Sequence, residues 1–214
     1  MCQQPKGSTY RRWPLPVVLD EVDGLLAQGA GDIRFIDAIF LPRPELLAVL
    51  AACEVRIGIR TRIDLWNHAR LDVLGRAGCV SLEAGVESIA PEGRALPDRQ
   101  CRLSTDELAE HLIYAKKIIA LVPAHLLDAR VDDARAIEAW RRHLQRHRVW
   151  ANALVPLFPY PGSLGYTRKW GHPDDQARER AQSRYLMQYE GFSDVQEDQP
   201  LPLSQLERDP TSHA

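Results

Sequence analysis

Helical and strand periods take turns along this chain from its first apolar stretch to residue 158. Val17, Val18, Val22, Leu25 and Leu26 recur at helical spacing, with Pro14 and Pro16 ahead and Gly29 behind, where start and stop signals belong. DIRFID (32–37) is a short run of β-formers, and PELLAVLAA (44–52) returns to a helix behind a proline. VRIGIRTRI (55–63) alternates with period two. Leu71, Val73, Leu74 and Ala77 form a third helix that stops at Gly78. CVSLEAGV (79–86) is a third strand, followed by a polar loop with Pro91, Gly93 and Pro97. Ser104 and Glu107 have capping-box spacing and open a helix striped by Leu108, Leu112 and Ala115. IIALVPAHLL (118–127) is strand-like despite Pro123. Ile137, Trp140 and Leu144 stripe the next helix, and ANALVPLF (151–158) is a fifth strand.

Strict alternation of this kind predicts an α/β fold of parallel strands joined by helical crossovers, either a barrel or a doubly wound sheet. The pattern changes near Gly165. The expected division is therefore a partial barrel over 1–164 and a tail over 165–214, in which HPDDQARERAQSRYLMQYE is an amphipathic helix and the segment from Phe192 is a polar surface extension. The chain begins on a helix where an α/β unit begins on a strand. The expectation is an open edge on the first strand, left by truncation or covered by a partner chain.

Composition narrows the function classes. Lysine and arginine number 27 against 29 acidic residues, a net charge of −2. Proteins that live on nucleic acid or on anionic membranes carry a basic excess, so neither partner is expected. No apolar run approaches the roughly 20 residues that span a bilayer. The opening MCQQPKGSTYRRWP has no apolar core of a secretory signal, so the expected compartment is the cytoplasm. Cys2, Cys53, Cys79 and Cys101 stand singly, as reduced thiols do, and Cys53 and Cys79 lie in apolar segments as small buried hydrophobes.

In parallel α/β folds the site lies at the carboxyl ends of the strands. That rule selects Asp37 and Phe40; Arg60, Arg62 and Asp64; Glu83, Glu87 and Ser88; Asp128 and Arg130; and Pro159, Tyr160 and Ser163. Such a rim of paired charges suits a polar small-molecule substrate, and equally suits surface ion pairs on loops. His143 and His147 are four apart on a helix, but they lie in RRHLQRHR and form a solvated basic face rather than a metal site. No H-E-x-x-H, phosphate loop, G-x-G-x-x-G or G-x-S-x-G is present.

Three strings carry a family resemblance. YRRWPLPVVLDEVDGLLAQGAGDIRFIDAIFLPRPELL resembles the segment after the cluster cysteines of radical S-adenosylmethionine proteins, particularly the kind with a cobalamin-binding domain. RTRIDLWNHARLDVLGRAGCVSLEAGVES is similar to the same family's run from one barrel strand to the next, and LVPLFPYPGS to its late strand and turn. The tail YTRKWGHPDDQARERAQSRYLMQYEGFSDVQEDQPLP looks like the extension of one subgroup.

The resemblance implies a six-unit barrel, of which about five βα units are here. It also implies a four-iron–four-sulfur cluster held by three cysteines spaced C-x3-C-x2-C, with one iron left for S-adenosylmethionine. Cys2 stands where the last of those cysteines falls, and so is the implied metal ligand. The two earlier cysteines, the first strand and the cobalamin-binding domain have no counterpart in the sequence, which leaves cobalamin use open. Glu87 matches the acidic position facing the ribose or methionine of S-adenosylmethionine, and Asp37 the acidic strand end facing its amino group. Arg62 matches the arginine of the Arg-x-Asp segment, which can grip a carboxylate bidentately. Glu83 and Ser88, chosen by their place at the end of the third strand, complete the expected cofactor-binding set. The activity implied is reductive cleavage of S-adenosylmethionine to start radical chemistry on an unknown substrate. A non-catalytic fragment or partner subunit that keeps the partial barrel without a cluster is a second expectation. An unrelated α/β enzyme using the rim carboxylates as acid and base is a third.

Overall fold

A computed structural model of the chain describes residues 13–95, 101–128, 130–156, 161–174, 176, 177 and 179. The elements follow one another as α1 (Leu15–Ala27), β1 (Asp32–Arg34), α2 (Pro44–Ala52), β2 (Arg56–Arg62), a 3-10 turn (Ile63–Leu65), α3 (His68–Arg76), β3 (Cys79–Glu87), α4 (Pro91–Ala95), α5 (Thr105–Ile118), β4 (Pro123–Asp128), α6 (Ala134–Arg146), β5 (Trp150–Ala151), β6 (Val155–Pro156) and α7 (Leu164–Trp170). Every strand pair is parallel. The strands lie in the order β1-β2-β3-β4-β5, with β6 also on β4. A doubly wound sheet reverses its order at a switch point, and this one does not. The α/β fold is an arc of a parallel (βα) barrel, with β1 as its outer strand among the described residues.

The core lies on the face that the helices cover. Ile57 and Ile59 of β2, Leu82 and Ala84 of β3, and Ala124 and Leu126 of β4 are all but sealed from solvent. They share one apolar cluster with Leu71 and Leu74 of α3, Leu108, Leu112 and Ala115 of α5, and Ile137, Trp140 and Leu144 of α6. The register explains why. Ile59 is opposite Leu82, and Ala84 is opposite Ala124, so the alternate residues of each strand stack on the same side. The residues between them, Arg60, Arg62, Glu83, Gly85 and His125, fall on the other side, the inner face of the arc.

Local chemistry sets the helix ends. Ser104 accepts from the Glu107 backbone N–H while the Glu107 carboxylate accepts from that of Ser104, completing the capping box. Asn67 and Asp133 cap α3 and α6 in the simpler way.

Several boundaries differ from the sequence reading. The run 32–37 stops pairing at Arg34. The apolar stretch 118–127 divides: α5 runs on to Ile118, and β4 begins only at Pro123, a first-residue position where a missing donor is tolerated. The loop with Pro91 contains a short helix, Pro91–Ala95. The fifth strand is broken, because the Asn152 side chain takes over the pairing. It accepts from the Leu126 N–H (2.6 Å) and donates to the Leu126 carbonyl (3.0 Å). Pro159, Tyr160 and most of the tail helix lie outside the described residues. No helix among the described residues is long and apolar enough to cross a membrane.

Candidate functional site

The inner face is a wall of charge laid out by strand register. Glu83 of β3 stands between Arg34 of β1 and Arg60 of β2. Arg34 Nη1 donates to Oε1 at 2.5 Å, and Arg60 donates from Nε to Oε2 at 2.8 Å, with its Nη2 2.7 Å from the same oxygen. Burial alone would push the Glu83 carboxyl up, but the two guanidinium groups outweigh it and hold the group below its ordinary range. Toward the start of the strands, Arg56 Nε donates to Asp32 at 2.6 Å. At the end of β2, Arg62 grips Asp64 with two bonds of 3.0 and 2.5 Å. Next to this pair, Trp66 donates to the Thr61 hydroxyl (2.9 Å), which donates to the Phe40 carbonyl (3.0 Å).

A cavity of about 250 Å³ opens at the carboxyl ends of β2 and β3, beside the first half of β4, lined by Ala38, Arg60, Thr61, Arg62, Gly85, Glu87 and His125. Glu87 enters it from a left-handed backbone (φ 73°), where the β3–β4 register slips by one residue. Such a bulge re-aims the side chain at the end of a strand. His125 is half-buried with Trp150 edge-on, the ring centroids 6.4 Å apart. Its Nε2 is sealed from solvent and has no hydrogen-bond partner among the described residues. Burial drives its pKa down, the Glu83 charge pulls it back and Arg60 opposes, with a net lowering.

The residues singled out in the sequence divide. Glu83, Arg62 and Glu87 share the inner face, Arg62 and Glu87 on the cavity itself. Asp37 does not line that cavity: it is exposed and lines a second one of about 570 Å³ at the β1 edge, together with Arg34, Glu21, Arg43, Trp13 and Val22. Ser88 is fully buried in the turn after β3, where its hydroxyl bonds to Asp132 (2.9 Å) and serves the Ala90 backbone. Arg94 seals that turn, donating to the carbonyls of Ser88, Ile89 and Leu103. Ser88 thus braces the loop that carries Glu87. Arg34 and His125 were not singled out by the sequence. The signal for Arg34 was its place one residue on from buried Ile33, on the parity of Arg60, but only the register makes that parity visible.

The donors for an iron–sulfur cluster are not gathered here. Among the described residues no group of three or more His, Cys, Asp or Glu is placed to hold a metal. Cys53 and Cys101 are half-buried on separate elements, and burial pushes the Cys79 thiol up to about 12, the reverse of what a thiolate ligand needs. Cys2 lies outside the described residues.

No family model matches the chain, and no curated protein matches it in sequence. Solved structures do match. One is the radical S-adenosylmethionine methyltransferase TsrM from Kitasatospora setae with cobalamin and a [4Fe-4S] cluster bound, at a TM-score of 0.58 and 16% identity, over 73% of this chain and 33% of that one. Another is the same protein with tryptophan substrate and the S-adenosylmethionine analogue aza-SAM, at 0.57 and 17%, over 67% of this chain and 30% of that one. The chain thus spans about a third of the length of these structures, and at this identity the likeness carries the fold alone. The described fold of this chain is an arc of a parallel (βα) barrel similar to the one in TsrM.

Proposed function

We propose that the inner face of this arc is the S-adenosylmethionine-facing wall of a radical S-adenosylmethionine-type domain, whose cluster-bearing segment lies outside the described residues. In this reading, reductive cleavage of S-adenosylmethionine at the cluster starts radical chemistry on a small-molecule substrate. The observation that carries it is the cavity at the carboxyl ends of β2 and β3, with Glu87, Arg62 and His125 on its wall. A sulfonium amino acid joined to a nucleoside presents an ammonium, a carboxylate and ribose hydroxyls. Glu87 offers an acceptor for the first or last of these. The fold likeness to TsrM supports the same reading. With it go a cytoplasmic location, no dependence on nucleic acid or membrane, and a partner chain on the β1 edge. Cobalamin would come with such a partner.

The test has two parts. Calorimetric titration of S-adenosylmethionine into the purified chain should show binding that Glu87→Gln weakens at least tenfold. Anaerobic reconstitution with iron and sulfide tests for the cluster, and any visible iron–sulfur absorption it yields should be lost in Cys2→Ala. No binding of S-adenosylmethionine before or after reconstitution overturns the proposal.

A second reading has its own observation, the scattered cysteines of the described residues. In it the chain is a non-catalytic subunit that keeps the arc and binds no cluster. S-adenosylmethionine binding without any reconstituted absorption favours this reading.

A further inference from the structure

The net charge of −2 conceals a separation of charge along the chain. Residues 142–148, RHLQRHR, hold three arginines, two histidines and no acid. Residues 190–198, EGFSDVQED, hold four acids and no base. The first stretch lies on an outer surface of the fold. Ile137, Trp140 and Leu144 turn inward from α6, while Arg142, His143, Arg146, His147 and Arg148 are exposed at its C-terminal end. The His143 and His147 rings lie edge-on with centroids 5.3 Å apart, on one strip of the helix.

The surroundings do not neutralise this face. The only acid of α6, Glu138, is shared by Arg141 at 3.3 Å and Arg142 at 3.4 Å. Arg146 and Arg148 have no ion pair among the described residues. Asp132 and Asp133 stand at the other end of a helix of 13 residues, about 20 Å away and beyond the Debye length of about 8 Å. Of the elements α6 packs on, β5 is uncharged, and α5 keeps Asp106, Glu107 and Glu110 in its first two turns. The end of α5 carries Lys116 and Lys117. Burial and then the charge of Arg148 push the Lys116 pKa down, so cation faces cation at this corner. The helix dipole favours cations in a last turn, but it offsets only about half a charge.

We infer that the acidic segment 190–198 of this same chain docks on the basic outer face of α6, against Arg142, His143, Arg146, His147 and Arg148. Its reach is sufficient. Glu190 comes eleven positions after Glu179, the last described residue, and eleven residues span up to about 40 Å. Its point of departure is on the right side. The α6 helix leads into β5 and α7 follows β6, and both strands pair with β4, so the basic face and the start of the tail belong to one edge of the sheet. Single exposed ion pairs are weak, but four carboxylates on a tether meet the face together, at an effective concentration on the order of millimolar. The docked segment closes the face to polyanions from outside.

The test compares the full chain with a quadruple variant, Glu190→Gln, Asp194→Asn, Glu197→Gln and Asp198→Asn. NMR follows the protonation midpoints of the histidine rings at low ionic strength, with His143 and His147 assigned through His143→Gln and His147→Gln. Both midpoints should stand about 0.5 pH units higher in the parent, the effect of one carboxylate about 6 Å away in water. About 1 M sodium chloride, where the Debye length is about 3 Å, should erase the difference. His68 on α3 should not move. Equal midpoints in the two proteins overturn the inference, as does a His68 shift of the same size, which would reflect bulk charge alone. A difference that fades on dilution, with a dimer seen by light scattering, would give the segment to a second copy and overturn the docking within one chain. Inorganic polyphosphate should bind the quadruple variant at least tenfold more tightly than the parent, and adding Arg146→Gln and Arg148→Gln should remove that gain. Equal binding to parent and variant, or a gain that survives those two changes, also overturns it.

Discussion

Arg60 and Glu83 sit directly opposite each other in the β2–β3 register, and both the Nε and Nη2 groups of the arginine reach one oxygen of the carboxylate. The other oxygen receives Arg34. Removing the Glu83 charge strands two guanidinium groups on one face. Glu83→Gln should destabilise the fold by about 1–3 kcal/mol, below the figure for a fully buried pair because both arginines reach solvent. The sign with pH is fixed by the lowered pKa. Stability from Glu83 is present above the ordinary carboxyl value of 4.5 and is lost as pH falls through the lower folded value. Urea unfolding from pH 6 down to pH 3 should show a steeper acid loss for the parent than for the variant; parallel curves would refute it.

Asn152 replaces a strand. Its side chain makes two bonds with the Leu126 backbone and donates a third to the Ala153 carbonyl at 2.7 Å. Asn152→Leu leaves the Leu126 N–H buried without its partner and should cost about 1–3 kcal/mol. Hydrogen exchange offers a local check, with the Leu126 amide losing protection first.

Cys79 should be the slowest of the described thiols to react. It is buried, with its pKa pushed up to about 12, while Cys53 and Cys101 are half-buried. At pH 8, peptide-level mass spectrometry after iodoacetamide treatment should find Cys79 unmodified until the chain is unfolded. Labelling of Cys79 in the native protein at the rate of Cys101 would contradict this packing.

Gly93 has no room for a side chain. A methyl group there would lie 2.0 Å from Ser88 Oγ and 2.5 Å from its Cβ, in the turn that Asp132 and Arg94 hold shut. Gly93→Ala should cost about 1–3 kcal/mol as the turn shifts. If Ser88 braces the Glu87 loop, the same variant should weaken S-adenosylmethionine binding, whereas Gly24→Ala, with open space around it, should not.

The alternation of helix and strand was legible because each apolar run kept its own period, and the capping box at Ser104 marked its helix to the residue. The strand ends were less so. Apolar content continues past Arg34 in Phe35 and Ile36, yet the ladder stops, and Asp37 lies beyond the strand on an exposed edge. Ile118 and Ile119 are apolar enough for a strand, but α5 is still gaining buried contacts there. The charged wall was half visible. Arg60, Arg62 and Glu83 stand at strand ends that position alone selects. Arg34 and His125 join them through register, which depends on how far one strand slides along the next and leaves no local trace in either. The slip at Glu87 is of the same kind.

From β1 to β5 each described strand bonds only to its neighbours in the sequence, and β6 reaches back one strand further, to β4. No segment has to wait for a distant partner before its backbone is satisfied, so loop-closure entropy is met in small instalments. Such a molecule can assemble in the direction of its synthesis, one crossover at a time, each new ribbon templated by the last.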